Sequence, residues 1–234
     1  MKRVIIITGT RKGIGHFLAE KYLSEGDIVY GCSRRECEIN HENYHHIRLD
    51  VSDEPAVIAF VRNVYREQKR IDILINNAGI AIDSLFEDKT KENFIKVLDT
   101  NLVAPFLLSK KIGLKMKDNK NGIIINISST NGIDTPYIES IDYDASKAGL
   151  ISLSNNLANY LAPYVRVNTI CPGWINTSMN KELDNEFKCN EEDKILLGRF
   201  GNPIEVASVV KFLISDEASY INNSIIRVDG GKKC

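Results

Sequence analysis

The chain has 234 residues, of which 43% are hydrophobic and 26% charged. This is an ordinary globular composition, and it excludes disordered, collagen-like and low-complexity classes. The 30 Lys and Arg residues nearly balance the 31 Asp and Glu residues, for a formal net charge of −1, so there is no electrostatic basis for binding nucleic acid or an anionic membrane. The length favours one domain over residues 1–234.

Short β-branched runs alternate with amphipathic stretches along the chain. Strands are predicted over Val4–Ile7, Ile28–Tyr30, His46–Leu49, Ile71–Ile75, Ile123–Ile127, Val165–Ile170 and Ile225–Val228. Helices are predicted over Ile14–Ser24, over Pro55–Tyr65 with Asp53 as its cap, along an apolar stripe from Ala145 to Leu161, and over Ile204–Ile214. Most strands are apolar at nearly every position, as in a sheet covered on both faces. The alternation therefore predicts an α/β, single-domain Rossmann fold, a doubly wound seven-stranded parallel sheet with helices on both faces.

The first predicted strand runs directly into a glycine-rich turn, Thr8-Gly9-Thr10-Arg11-Lys12-Gly13-Ile14-Gly15. Because glycine lacks a Cβ, the backbone there can turn tightly and approach a pyrophosphate closely. The helix that follows presents unpaired N–H groups and the positive end of its dipole to that phosphate. This position between strand and helix predicts a dinucleotide site rather than a turn without a ligand.

The spacing Thr-Gly-x-x-x-Gly-x-Gly resembles that of the short-chain dehydrogenase/reductase family. Further motifs follow in the family's order and cover essentially the whole chain: Asn76-Asn77-Ala78-Gly79, Asn101, Ile125-Asn126-Ile127-Ser128-Ser129, Tyr143-Asp144-Ala145-Ser146-Lys147, Cys171-Pro172-Gly173-Trp174-Ile175-Asn176-Thr177, and the segment Gly198–Gly231. Within the family the chain looks most like 3-oxoacyl-[acyl-carrier-protein] reductases. Sugar, polyol and steroid dehydrogenases share the layout and are the alternative.

Tyr143 and Lys147 lie four residues apart, which on a helix means one turn apart on one face. A tyrosine has an ordinary pKa of about 10, too high for efficient acid–base chemistry at neutral pH. A neighbouring ammonium favours the phenolate, so we expect Lys147 to lower the pKa of Tyr143. Tyr143 is then the predicted general acid/base toward a carbonyl or hydroxyl oxygen. The resemblance gives Lys147 a second role, holding the nicotinamide ribose.

Two further residues complete the predicted catalytic group. Ser129 ends the fifth strand, where its hydroxyl can donate to a substrate oxygen and stabilise developing negative charge. The interval from Ser129 to Tyr143 is slightly longer than usual in the family, so Ser128 is the alternative. The resemblance makes Asn101 the fourth catalytic residue, supporting a water-mediated proton relay toward the lysine. Asn101 can also be interpreted as a helix-kink residue bonding to backbone, and the two roles can coexist.

The residues after the second strand, Ser33-Arg34-Arg35, contain no acid. At this place an Asp or Glu binds the ribose hydroxyls of NAD, whereas an Arg accommodates the 2′-phosphate of NADP. Arg34, with Lys12 as a second cation, therefore favours NADP(H). Glu36 and Glu38 keep NAD(H) as the alternative.

The resemblance implies the remaining contacts of the cofactor. They belong to the glycine turn, to the ends of the second, third and fourth strands, to the catalytic pair and to the loop after the sixth strand: Gly9, Arg11, Lys12, Gly13, Ile14, Gly15, Ser33, Arg34, Asp50, Val51, Asn77, Ala78, Gly79, Tyr143, Lys147, Pro172, Gly173, Ile175 and Thr177. Asp50 and Val51 would contact the adenine. Pro172, Gly173 and Thr177 would hold the nicotinamide carboxamide. The polar segment 178–194 is the predicted substrate lid.

The remaining features concern compartment and partners. The cysteines are widely spaced without a C-x-x-C pair, which predicts neither disulfides nor a zinc site. The apolar run at the N-terminus is too short for a signal peptide, and no run approaches the ~20 residues that span a bilayer. We therefore expect a cytoplasmic protein without a membrane partner. His41, His45 and His46 lie in a predicted polar loop and are interpreted as surface rather than metal ligands.

The predicted function is that of an NADP(H)-dependent reductase that interconverts a ketone and a secondary alcohol. Its substrate is a small carbonyl or alcohol compound, free or bound to acyl carrier protein. The Lys-rich run from Lys110 to Lys120 is either a solvated helix face or a docking site for such an acidic carrier. The resemblance implies a homotetramer or homodimer, packed through helices around Asn101–Met116 and Asp144–Leu161. The alternative from another class, a dinucleotide-binding sensor without turnover, would be expected to lack Tyr143 or Lys147.

Overall fold

The computed structural model describes residues 2–177, 180 and 183–232. In this part of the chain the strands are β1 (Val4–Thr8), β2 (Ile28–Ser33), β3 (Tyr44–Arg48), β4 (Ile73–Asn76), β5 (Gly122–Ile127), β6 (Val165–Pro172) and β7 (Ile225–Val228). The helices are α1 (Gly13–Ser24), α2 (Glu54–Gln68), α3 (Lys91–Leu98), α4 (Ala104–Asp118), α5 (Ile141–Leu161), α6 (Asn185–Glu192) and α7 (Pro203–Leu213). Of the described helices, none has the length and apolar character that a membrane crossing needs.

The strands form one sheet in the order β3-β2-β1-β4-β5-β6-β7, with every neighbouring pair parallel. The predicted doubly wound, seven-stranded parallel sheet is thus confirmed. The order reverses between β1 and β4. In open α/β sheets the crevice at the carboxyl ends of two such strands is where ligands bind. The glycine turn after β1 and the Asn-rich segment after β4 both lie at this crevice.

The central strands separate two hydrophobic cores. Along β1, Val4 and Ile6 face one core while Ile5 and Ile7 face the other, because successive side chains of a strand point to opposite faces. The first core packs against α2, α4 and α5, and the second packs against α1 and α7. The near-continuous apolar runs are explained by this burial on both sides.

The ends of the elements follow local side-chain chemistry. Asp53 caps α2, its carboxylate accepting from the backbone N–H of Ala56 at 3.1 Å, as predicted. Strand β3 begins at Tyr44, two residues before the predicted start, so that His45 lies on a strand rather than in a loop. Because β3 is an edge strand that pairs only with β2, its half-exposed polar residues hid its first two positions from the hydrophobic pattern.

Candidate active site

The glycine turn is packed so tightly that side chains are excluded from it. Gly9 has a φ of +77°, and a Cβ there would lie 2.9 Å from the amide nitrogen of Asn77. A Cβ on Gly15 would lie 2.5 Å from the carbonyl oxygen of Gly9. The turn therefore brings its backbone directly against β4 and opens α1 with free N–H groups, as a phosphate site requires. Arg11 and Lys12 are exposed beside it.

Thr8 fastens the turn to the segment after β4. Its hydroxyl accepts from the backbone N–H groups of Asn77 and Ala78, at 3.0 and 2.9 Å. The Asn77 amide in turn donates to the carbonyl of Thr8 at 2.8 Å. The side chain of Asn77, predicted as a cofactor contact, is thus used within the protein to join β1 to β4. Thr8 was not among the predicted site residues, although its place at the end of β1 is a usable signal.

Tyr143 and Lys147 share one face of α5, as their spacing predicted. The Lys147 ammonium lies 5.4 Å from the centre of the Tyr143 ring, and it donates to the carbonyl of Ile127 at 2.9 Å. A Cβ on Gly79 would lie 3.4 Å from the same ammonium nitrogen. The end of β5, the start of α5 and the segment after β4 therefore converge here.

The predicted effect of Lys147 on Tyr143 is not found in this structure. Burial raises the pKa of the Tyr143 phenol to about 12, against the lowering effect of a hydrogen bond from Ser129. Burial also lowers the pKa of the Lys147 ammonium to about 8. Both shifts have one cause, since a site poor in water disfavours the charged form of each group. The expectation from spacing alone was wrong because spacing carries no information on burial.

The structure separates the two serines that end β5. Ser129 lies close enough to the phenol of Tyr143 to bond to it and lower its pKa. Ser128 instead donates to the carbonyl of Lys147 at 2.8 Å and is almost wholly buried. The geometry thus favours Ser129 over Ser128 as the serine that could meet a substrate oxygen.

Asn101 lies between α3 and α4, in a π-helical turn over Asp99–Val103. Its amide oxygen accepts from the N–H of Ile80, and its amide nitrogen donates to the carbonyl of Ile80, both at 2.9 Å. The nitrogen also donates to the Ser146 hydroxyl at 3.0 Å. Asn101 therefore bonds to the backbone in a distorted helix, as its interpretation as a helix-kink residue predicted. Its amide oxygen also lies near Gly79, beside Lys147.

A cavity of about 440 Å³ opens beside the ends of β2 and β3, lined by Arg34, Arg48, Leu49, Asp50, Asp53 and Ala56. The Nε of Arg48 donates to the backbone carbonyl of Arg34 at 3.1 Å, and both arginines line this cavity. Burial would raise the pKa of Asp50, but hydrogen bonds from Ser52 and the charge of Arg34 hold it below its ordinary value. Arg48 was not predicted as a site residue. Its position at the end of β3 could have indicated it, because the carboxyl ends of neighbouring parallel strands lie at the same edge of the sheet.

A polar network connects the glycine turn to this second-strand end. The Tyr44 hydroxyl donates to the hydroxyl of Thr10 at 2.8 Å and lies 3.2 Å from Nδ1 of His46. Nε2 of His46 lies 3.1 Å from the carbonyl of Arg35 and 3.3 Å from the Ser33 hydroxyl. The network holds the backbone of the Ser33–Arg35 turn in place beside the cavity.

The loop after β6 carries the residues predicted to hold the nicotinamide. Gly173 bonds to β7, its N–H donating to the carbonyl of Val228 at 3.1 Å. Thr177 lies next to the glycine turn, 3.6 Å from where a Cβ on Gly13 would be. The Ile175 side chain is buried in the core, as is that of Val51, so both could meet a cofactor only through their backbone.

The predicted lid is partly described. Residues 178, 179, 181 and 182 lie outside the described residues, and α6 forms its second half. Trp174 fastens α6 to the site, because its indole N–H donates to the buried carboxylate of Glu191 at 3.0 Å. The same indole stacks on Phe200 at 5.4 Å and meets the edge of Tyr137 at 6.0 Å between ring centres.

A buried ion pair holds the loop after β4 against the catalytic helix. The Lys89 ammonium lies 3.2 Å from the Asp142 carboxylate, with 6% and 0% of the two side chains exposed. Lys89 also donates to the carbonyls of Ile82 and Glu139, at 2.5 and 2.8 Å. Asp142 accepts from the N–H of Tyr143, so the pair supports the first turn of α5.

We expect Lys89→Met to lower the free energy of unfolding by about 3–5 kcal/mol, because removing one partner leaves the other charge buried and uncompensated. Urea unfolding followed by circular dichroism measures this. Lys211→Met is the matched control. It breaks the exposed pair with Glu25 at 2.8 Å, for which we expect less than about 1 kcal/mol. Equal losses in the two variants would contradict the supporting role of the buried pair.

The sheet order and the crevice with its glycine turn define a Rossmann-type fold, and Ser129, Tyr143 and Lys147 lie beside that crevice. The comparisons give the family. The family model described as short chain dehydrogenase matches residues 3–188, and the chain belongs to this family.

Individual relatives agree with this membership. The 3-oxoacyl-[acyl-carrier-protein] reductase FabG of Aquifex aeolicus is 38% identical over 98% of this chain and 96% of its own length. A short chain dehydrogenase from Leptospira borgpetersenii with bound NAD⁺ is 33% identical, with a TM-score of 0.93 over 99% of this chain and 92% of that one. ElxO with NADP bound is 28% identical, with a TM-score of 0.91 over 99% and 98% of the two chains. The resemblance stated from the sequence motifs is thereby confirmed.

Proposed function

We propose that the protein is an NADPH-dependent reductase that converts a ketone into a secondary alcohol, with Tyr143 as the general acid. The observation that carries the proposal is the convergence of Ser129, Tyr143 and Lys147 at the carboxyl ends of the strands, next to the glycine turn. This is where a dinucleotide would bring its nicotinamide in an open α/β sheet. The nicotinamide supplies the hydride when it is bound.

The protein's residues would then control the proton and the substrate oxygen. Tyr143 gives its phenolic proton to the carbonyl oxygen during reduction, and it takes the proton back during oxidation. Ser129 donates a hydrogen bond to the same oxygen and stabilises the negative charge that develops on it. Lys147 is proposed to hold the nicotinamide ribose and, with Asn101, to support proton return to Tyr143. The high pKa of the buried phenol favours the protonated form, which reduction requires.

Two guanidinium groups support NADPH over NADH. Arg34 and Arg48 line one cavity, where the Arg48 guanidinium donates to the backbone carbonyl of Arg34. Their charges suit a 2′-phosphate, which a guanidinium can bind through two parallel hydrogen bonds. No carboxylate follows β2 to take the ribose hydroxyls until Glu36. NAD(H) is the alternative, which the NAD⁺ bound to the Leptospira relative favours.

A 3-oxoacyl thioester is the proposed substrate. The Aquifex relative, at 38% identity, carries the name of a 3-oxoacyl-[acyl-carrier-protein] reductase. A cavity of about 510 Å³ lies at the start of α5, lined by Pro136, Tyr137, Ile138, Glu139, Ile141 and Asp144. Its largely apolar walls suit an acyl chain. Sugar, polyol and steroid ketones are the alternative substrates.

Partner contacts are proposed for α4. The helix carries Lys110, Lys111, Lys115 and Lys117, which suit an acidic carrier protein. It also exposes Phe106 and Leu114, which suit a helix of a second copy in a homotetramer or homodimer. Docking of an acidic carrier protein and packing against a second copy of the chain are both part of the proposal.

The test compares NADPH and NADH oxidation side by side, with acetoacetyl-CoA, small ketones, keto-sugars and a steroid ketone as substrates. Faster reduction of the thioester with NADPH than with NADH is the expected result. Faster use of NADH would overturn the cofactor assignment. Reduction of a keto-sugar or a steroid ketone, without reduction of the thioester, would support the alternative substrates instead. If the protein binds the cofactor but turns over none of the ketones, the result would favour the alternative of a dinucleotide-binding sensor without turnover.

A further inference from the structure

His46 is a half-buried titratable side chain that contacts the turn after β2. Its Nε2 lies 3.1 Å from the carbonyl oxygen of Arg35 and 3.3 Å from the hydroxyl oxygen of Ser33. The Ser33 hydroxyl donates its own proton to that same carbonyl, at 2.6 Å. Nε2 therefore faces two acceptors, and it carries a hydrogen in both charge states of the ring.

The other ring nitrogen faces a pair of hydroxyls that can donate in either direction. Nδ1 lies 3.2 Å from the hydroxyl of Tyr44, which lies 2.8 Å from the hydroxyl of Thr10. When Tyr44 donates to Thr10, the Tyr44 oxygen accepts from Nδ1–H and the ring is an imidazolium. When Thr10 donates to Tyr44 and Tyr44 donates to Nδ1, the ring is neutral. His46 can therefore gain a proton without losing a hydrogen bond.

The Tyr44 phenol keeps its proton for this exchange. Burial raises the pKa of the phenol above its ordinary value, so Tyr44 is a hydroxyl throughout the neutral range. Next to Thr10, the Cys37 thiol donates to the Thr10 carbonyl at 3.3 Å, and Nδ1 of His16 lies 3.1 Å from that carbonyl. These two groups face the backbone of Thr10, whereas His46 is connected to the Thr10 hydroxyl.

Charged side chains of both signs surround His46 at this end of the sheet. Arg48 is two positions further along β3 and lies on the same face of the strand, because side chains alternate. The segments after β2 and β3 add two further guanidinium groups and three carboxylates: Arg34, Arg35, Glu36, Glu38 and Asp50. The guanidinium groups oppose a further positive charge on the ring, and the carboxylates favour one.

A phosphate bound at Arg34 would shift this balance toward the imidazolium. His46 contacts Ser33 and Arg35, the residues on both sides of Arg34, so the ring is within the ~10 Å over which charges act before salt screens them. A phosphate monoester brings a charge of about −2 near neutral pH. Opposite charge favours the charged form of a titratable group, and the imidazole is the side chain whose charge changes between about pH 5 and 8.

We propose that His46 is a specificity-determining residue of the cofactor site, which gains a proton when a 2′-phosphate binds and so adds a positive charge beside Arg34 for NADPH but not for NADH. The proton comes from the solvent and goes to Nδ1, while Tyr44 and Thr10 reverse the direction of their hydrogen bonds. This inference rests on the proposed function, because it concerns how the same site distinguishes the two cofactors.

The experiment is isothermal titration calorimetry with 2′,5′-ADP and with 5′-AMP, which lacks the 2′-phosphate. Each ligand is titrated at about pH 7.5 in Hepes and in Tris, whose different ionisation enthalpies report the protons taken up on binding. A phosphate monoester is almost fully dianionic there, since its second pKa is about 6. Wild-type protein should bind 2′,5′-ADP with uptake of about half a proton per site, and 5′-AMP without uptake.

His46→Gln removes the titratable group and keeps an amide donor for the Arg35 carbonyl. It should abolish the proton uptake and weaken binding of 2′,5′-ADP about fivefold near pH 6.5. Near pH 8.5, where the wild-type ring is also neutral, the two proteins should bind this ligand equally. His45→Gln is the matched control on the other face of β3, where the His45 ring stacks on Tyr30 at 4.6 Å. It should keep the wild-type uptake.

Proton NMR of the four histidines gives a second readout, in the wild-type protein. The Hε1 signal that is missing from His46→Gln should shift downfield, toward the imidazolium position, when 2′,5′-ADP is added at about pH 7.5. The same signal should stay in place when 5′-AMP is added.

The outcomes separate this inference from the proposed cofactor. Tighter binding of 2′,5′-ADP than of 5′-AMP without proton uptake, or with uptake that persists in His46→Gln, would overturn the role of His46 and leave NADPH as the proposed cofactor. If 2′,5′-ADP bound no more tightly than 5′-AMP, the NADPH assignment would be wrong and this inference with it.

Discussion

Replacing Tyr143 by Phe is expected to reduce ketone reduction about 10³-fold, within the range of 10²–10⁴ for a positioned acid. The change removes only the hydroxyl and keeps the ring that lies 5.4 Å from the Lys147 ammonium. The dissociation constant for NADPH should therefore stay within about twofold. Steady-state rates and a fluorescence titration with NADPH measure the two quantities.

The control is Tyr220→Phe, which makes the same change at a fully exposed residue and should leave both quantities unaltered. Unaltered turnover in Tyr143→Phe would refute the proposed mechanism. Loss of NADPH binding together with turnover would instead assign Tyr143 a role in binding or folding.

In the wild-type enzyme, the pH dependence of the rate should differ between ketone reduction and alcohol oxidation. A buried phenol with a pKa of about 12 is protonated throughout the neutral range. Reduction, which needs the protonated form, should therefore not decline through deprotonation of Tyr143 near neutral pH. Oxidation needs the phenolate and should become faster as the pH rises. Burial of the site thus keeps Tyr143 in the protonated form that the proposed reduction needs.

The sequence was sufficient for the buried strands, the glycine turn and the helix face of the site, because each of these follows from local pattern. The apolar runs at Val4–Ile7 and Ile123–Ile127 predicted buried strands, because both faces of the sheet are covered. The glycine turn could be located because the chain there has no room for a Cβ. The shared helix face of Tyr143 and Lys147 followed from a spacing of one helical turn.

What could not be predicted depends on contacts between distant segments. Asp142 and Lys89 are 53 positions apart, and nothing local to either indicates the pair. Arg48 reaches Arg34 because β2 and β3 pair in a register that places Arg48 opposite Ser33, and this register is not contained in the local pattern of either strand. The pKa of Tyr143 was predicted in the wrong direction, since burial is a property of the assembled site.

Replacing Arg34 by Glu is expected to lower kcat/KM for NADPH by about 10²–10³ while leaving that for NADH equal or higher. A lost charge-assisted hydrogen bond costs about 1.5–3 kcal/mol, and a carboxylate adds repulsion against the 2′-phosphate. A carboxylate at this place can instead accept from the ribose hydroxyls of NADH. Initial rates with each cofactor at saturating ketone give the ratio.

Two companion variants separate the local charge from its side effects. Arg34→Gln removes the guanidinium without adding repulsion against the nearby Asp50, and its loss should be smaller, about 10-fold. Arg62→Glu makes the same change in net charge on the exposed side of α2 and should leave the cofactor ratio unchanged, because exposed charges beyond ~10 Å are screened by salt. If the ratio moved equally in Arg62→Glu and Arg34→Glu, the overall field of the protein would set the preference. If it moved in neither, the cavity between Arg34 and Arg48 would not be where the cofactors are distinguished.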